Sequence, residues 1–114
     1  MSKRNVKLFV EDMLNAIEKI EKYCKGIGSY EEFSKQDIVV DAVLRNLEII
    51  GEAASKIPEN IRSRFSEIPW KRVVGLRNII VHGYFVVDLQ IVWRIITSQL
   101  PELRIALEKM RAEL

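Results

Sequence analysis

The chain has 114 residues, with 18 Lys+Arg against 16 Asp+Glu and a formal net charge of +2. That length suits one domain spanning residues 1–114, and that charge excludes a strongly basic protein built to coat nucleic acid. Apolar residues at 48% and charged residues at 30% belong to a chain that folds around a core. The longest charge-free run, Asn78 to Val87, is far shorter than the ~20 residues a membrane-spanning helix needs. No secretory segment is expected behind Met1-Ser2-Lys3-Arg4-Asn5, because Lys7, Glu11 and Asp12 follow so soon. Cys24 is the single cysteine and cannot pair internally, and with one histidine the chain cannot complete a zinc site. The expectation is a cytoplasmic protein with no membrane contact, no metal and no cofactor.

From Val6 onward, Phe9, Val10, Met13, Ile17, Ile20, Cys24 and Ile27 recur at three- and four-residue steps, predicting an amphipathic helix that Gly26 and Gly28 end. Ser34-Lys35-Gln36-Asp37 has the form of a capping box for a second helix running to about Lys56, before Pro58. Ile38, Val39, Val40, Ala42, Val43, Leu44, Leu47, Ile49, Ile50, Ala53 and Ala54 make that helix apolar around most of its circumference. Asp41, Arg45, Glu48, Glu52 and Lys56 form one narrow polar stripe. Such a helix belongs at the centre, packed on several sides. A short helical piece over Ile61 to Phe65 leads to Ile68-Pro69-Trp70, where Pro69 suits the first turn of a third helix ending near His82-Gly83. Asp88 is a natural N-cap for a fourth helix carrying Leu89, Val92, Trp93, Ile96 and Leu100 inward. Pro101 either kinks that helix or begins a fifth through Leu103, Leu107 and Met110. Without two-residue alternation between residues 73 and 96, the fold class is all-α, an up-and-down bundle of four or five helices.

The excess charge is local. Arg62, Arg64, Lys71, Arg72 and Arg77, opposed by Glu59 and Glu67, make residues 58–87 the basic part of an otherwise balanced chain. A local field of this kind attracts an anion if its members converge on one cleft, and is a solvated face if they do not. The same segment holds the only histidine, in Arg77-Asn78-Ile79-Ile80-Val81-His82-Gly83-Tyr84. Imidazole transfers protons near neutral pH, and a guanidinium fork matches phosphate oxygens. Together they suffice for RNA cleavage in which the substrate's own 2′-hydroxyl is the nucleophile, a route that needs no metal. One histidine per chain would then favour a symmetric dimer supplying two. The plainer alternative is a helix-terminal His82 bonding a backbone carbonyl, with Arg77 paired to Glu48 or Glu52.

The sequence also resembles a known family. Arg77-x4-His82-x-Tyr84 with Asn78 after the arginine is similar to the signature of the HEPN superfamily, specifically the small HepT-like toxins. Leu44 to Ala54, Ile68-Pro69-Trp70, Gly75 to Asn78, Val81 to Tyr84 and Asp88-Leu89-x-Ile91-Val92-Trp93 extend the likeness over about the whole chain. The resemblance implies one HEPN domain over residues 1–114 that forms a homodimer with two motifs at a shared cleft. It implies a metal-independent endoribonuclease acting on RNA to leave 2′,3′-cyclic phosphate. Arg77 would stabilise the phosphate, His82 would be the acid–base group and Asn78 the supporting polar residue. The implied partner is a minimal nucleotidyltransferase antitoxin of the MntA type, adding AMP to Tyr84. Glu48 and Glu52 match the family's second helix and are candidates for orienting Arg77. The competing functional readings are a non-catalytic, substrate-presenting partner of such a nucleotidyltransferase and an inert helical dimer. Trp70 and Trp93 read as core or interface anchors, and Cys24 as a small apolar helix residue.

Overall fold

Helix α1, Lys3–Tyr23, buries Val6, Val10, Met13, Ile17 and Ile20 on one face, as their three- and four-residue spacing requires. The computed structural model describes residues 3–79 and 87–114. After Tyr23 the backbone turns at Gly26, whose φ of 87° is the left-handed conformation that glycine adopts without a Cβ penalty. Helix α2, Tyr30–Ser34, was not apparent from periodicity. It is capped by Ser29, whose hydroxyl oxygen accepts from the Glu32 amide at 3.2 Å. Its Phe33 is fully buried and stacks at a tilt on Trp93, ring centroids 5.2 Å apart.

Helix α3 runs Asp37–Ser55 and is the central element, packing against α1, α2 and the segments that follow it. The predicted capping box is not formed. Ser34 ends α2 and donates its hydroxyl to the Glu31 carbonyl at 3.0 Å, and Gln36 stands at the N-cap of α3 without a side-chain bond. Val40, Val43, Leu44, Leu47, Ile50, Ala53 and Ala54 are buried as their pattern demands, but Ile38, in the same first turn as buried Val40, is 86% exposed. Asn46, the one buried polar side chain among the described residues, donates to the Ala42 carbonyl at 2.8 Å.

Helix α4, Glu59–Arg62, tightens into a 3₁₀ turn over Ser63–Phe65. Helix α5, Trp70–Gly75, has Pro69 at its N-cap and likewise passes into a 3₁₀ turn, Leu76–Asn78. The predicted end of this helix at His82-Gly83 lies outside the described residues. Helix α6, Leu89–Arg94, starts from Asp88, whose carboxylate accepts from the Gln90 and Ile91 amides at 3.0 and 3.3 Å. Asp88→Ala should therefore lower unfolding free energy by about 1 kcal/mol in urea titrations, while Asp88→Asn should lose much less.

Of the two alternatives for Pro101, the structure takes the second: Pro101 stands in the first turn of a further helix that buries Leu103, Leu107 and Met110. The chain continues from α6 through a π-helical turn, Ile95–Gln99, into α7, Leu100–Glu113. Proline has no N–H to offer the Thr97 carbonyl and its ring would collide there, so the wider turn, closed by the Leu100 amide on the Ile95 carbonyl, takes up the misfit. Among the described residues the chain forms a bundle of seven α-helices, three of them long, with no strand and one continuous apolar core. None of these helices is long and apolar enough to cross a membrane.

Candidate functional site

A groove of about 560 Å³ follows the polar stripe of α3, bounded by Arg45, Glu48, Glu52 and Lys56, by Phe9 and Asp12 of α1, and by Arg77 and Asn78 of the 3₁₀ turn. Arg77 reaches it for reasons that can be read residue by residue. Trp70, Val73 and Leu76 bury one side of α5 and its continuation, fixing the turn against the core. Gly51, buried on α3, lets the turn come so close that a Cβ there would lie 2.3 Å from the Arg77 backbone nitrogen. The arginine side chain then projects beside Glu52, Nη1 to Oε2 3.8 Å.

That separation is too long for a strong hydrogen bond, and the two side chains are 41% and 55% exposed. An ion pair of this kind contributes at most about 1 kcal/mol. Glu48 is engaged elsewhere, accepting from Arg45 at 2.5 Å. The open choice of carboxylate partner is thus resolved in favour of Glu52, and Arg77 keeps donors to offer an anion from solvent. Asn78 sits at the groove edge, exposed. His82 and Tyr84 lie outside the described residues.

Of the two readings left open for the basic residues of 58–87, convergence on one cleft is not what the chain shows. Arg62 is drawn inward: its Nη2 donates to the Ala54 carbonyl at 3.0 Å and its guanidinium lies 6.0 Å from the Trp70 ring. Arg64 lies over Phe65, Lys71 lines a separate depression with Glu59, and Arg72 lines cavities between α5 and the later helices. Of the five, only Arg77 lines the groove. The other groove cations are Arg45 of α3 and Lys56 at its C-cap, and Lys56 lies 5.7 Å from the Phe9 ring. They were visible as members of the polar stripe, but sequence spacing gave no reason to join them to Arg77. Cys24 is half-buried, and burial pushes its thiol above the ordinary range, leaving it chemically quiet.

A helical bundle presenting an arginine on a tight turn beside an open groove is one way to hold an anionic chain, and sequence comparison defines the class. Residues 13–110 match the family model described as ribonuclease HepT-like. The chain is 41% identical over 104 residues to "Putative RNase MJ1380" of Methanocaldococcus jannaschii, covering 91% of this chain and 94% of that protein. It is 39% identical over 114 residues to "Putative RNase MJ0125" of the same organism, covering 100% and 97%. It is 38% identical over 109 residues to "Probable ribonuclease HepT" of Thermococcus cleftensis, covering 96% and 98%. No solved structure gives a significant match. The chain belongs to the ribonuclease HepT-like family, which places it among ribonucleases.

Proposed function

We propose that the chain is the endoribonuclease toxin of a toxin–antitoxin pair, one HEPN domain acting in the cytoplasm as a homodimer on RNA. The observation that carries this reading is the family match over residues 13–110, a span containing Arg77, Asn78, His82 and Tyr84. It is supported by the place of Arg77 at the groove, where the long pair with Glu52 leaves guanidinium donors for an anion. His82 accepts the proton of the substrate 2′-hydroxyl, the 2′-oxygen attacks phosphorus, and charge builds on a pentacoordinate phosphorus against the Arg77 guanidinium. The 5′-oxygen leaves with a proton from a second acid, which a second copy of the chain supplies, and the product ends in 2′,3′-cyclic phosphate. The nucleophile belongs to the substrate, so no metal is required to generate it. Asn78 supports the phosphate contact. A minimal nucleotidyltransferase antitoxin of the MntA type silences the enzyme by adding AMP to Tyr84, placing a bulky anion two residues from His82.

RNA incubated with the purified protein in EDTA should be cut and carry cyclic phosphate ends. Absence of cutting, or cutting that survives both Arg77→Ala and His82→Ala, rejects the proposal. Expression alone should arrest growth, whereas harmless expression favours a non-catalytic partner of the nucleotidyltransferase. Co-expression with that enzyme should add AMP mass to the intact protein, and Tyr84→Phe should prevent it.

A further inference from the structure

Gly51 breaks a local rule. Glycine inside a helix costs roughly 1 kcal/mol relative to alanine, and this one is in the body of the central helix with ordinary helical backbone. Its compensation is contact. A Cβ at residue 51 would stand 2.3 Å from the Arg77 nitrogen, 2.9 Å from its Cβ and 3.0 Å from its Cα. No other described glycine has any atom within 4 Å of such a Cβ, Gly75 included, although Gly75 is only two residues before the arginine. The chain therefore touches backbone to backbone at the one residue whose side chain is assigned to phosphate, and Glu52, the next residue on α3, is the carboxylate facing that guanidinium at 3.8 Å.

Resting on the ribonuclease reading, we infer that Gly51 and Glu52 are the positioning residues of Arg77: Gly51 sets where its backbone lies and Glu52 aims its guanidinium. A methyl group at 51 needs ordinary contact distance, so α3 and the 3₁₀ turn must separate by about 1 Å at Arg77. Displacement of a catalytic group by that much costs on the order of 10²-fold in rate. Losing the Glu52 charge leaves the backbone in place and lets the guanidinium wander, which lowers the chemical step by about three- to tenfold, the scale of one exposed ion pair. The same loss frees Arg77 for ground-state phosphate, so KM falls or holds while kcat drops.

The test is a double-mutant cycle in single-turnover RNA cleavage with the purified protein. Gly51→Ala should cut the rate 30- to 100-fold, Glu52→Gln three- to tenfold with KM not raised, and Gly75→Ala should leave it unchanged. On an Arg77→Ala background, neither Gly51→Ala nor Glu52→Gln should slow the residual cleavage further, since both act through the missing side chain. Additive losses on that background, or wild-type rates for Gly51→Ala, would overturn the inference. If Gly51→Ala fails to fold by circular dichroism, the Glu52→Gln cycle decides, and a wild-type kcat for that exposed variant overturns it equally. An Arg77→Ala protein as active as wild type is a separate outcome that sinks the catalytic reading itself.

Discussion

Arg77→Ala is expected to slow RNA cleavage by about 10²–10³-fold while shifting the melting temperature by no more than a few degrees. On the proposed mechanism, the rate estimate follows from removing a cation that faces a developing oxyanion, a loss that carries a penalty of that order where such a donor is deleted. The small stability effect follows from geometry. The guanidinium is 41% exposed and its pair with Glu52 is 3.8 Å long, so the folded state loses about 1 kcal/mol or less with it. Arg77→Lys should fall between, because an ammonium keeps the charge but loses the planar fork that can hold two phosphate oxygens. Parallel melting curves and single-turnover rates check both halves. A large loss of stability with Arg77→Ala would mean that the residue is a structural tie and that the groove owes its shape to it.

Trp70→Ala should produce the opposite pattern, a fall of about 3–5 kcal/mol in unfolding free energy. Trp70 is 8% exposed and its indole Nε1 donates to the Arg62 and Phe65 carbonyls at 3.2 and 3.1 Å. Arg62 covers its ring and bonds the Ala54 carbonyl near the end of α3. One side chain thus fastens α4, α5 and α3 together, and its loss opens a cavity and strands Arg62 at once. At 4–8 °C per kcal/mol for a chain of this size, the melting temperature should drop by more than ten degrees. Trp70→Phe keeps most of the volume and gives up the indole bonds, so about 1–2 kcal/mol is expected. Urea titrations of the two variants separate packing from hydrogen bonding. A Trp70→Ala protein within 1 kcal/mol of wild type would refute the fastening role.

Much of this was legible in the residues. The periodic apolar stripe of α1, the central character of α3 and the Asp88 cap all follow from spacing and side-chain chemistry, and Glu48 and Glu52 were open candidates for the partner of Arg77. What was not legible depends on which of several equivalent residues wins a contact. Ser29 and Ser34 both precede an acidic residue by three, yet Ser29 accepts the capping bond and Ser34 turns its hydroxyl back onto α2. The five basic residues of 58–87 look like one patch in one dimension, but Arg62 and Lys71 line one depression, Arg72 lines cavities toward the later helices, and Arg77 alone of them lines the groove. Arg62 in particular is indistinguishable in sequence from a surface arginine until Trp70 folds against it. Gly51 carried a signal that periodicity cannot use, because its meaning is the proximity of a segment far along the chain.

The π-helical turn before Pro101 has a consequence for phase. Ile95 and Leu100, both buried, are five residues apart, which on a regular α-helix would place them ~140° out of line. The widened turn brings them back to one side, so the rod from Leu89 to Glu113 is two stripes spliced with an offset. That offset lets the first part serve α2 and the second serve α1 without a break in the chain. Helical period and residue count are thereby uncoupled at a single point. Removing one residue within that turn would restore a regular α-helix and leave the α1-facing residues of α7 in place, whereas removing one from the regular part of α6 would rotate everything downstream by roughly 100°.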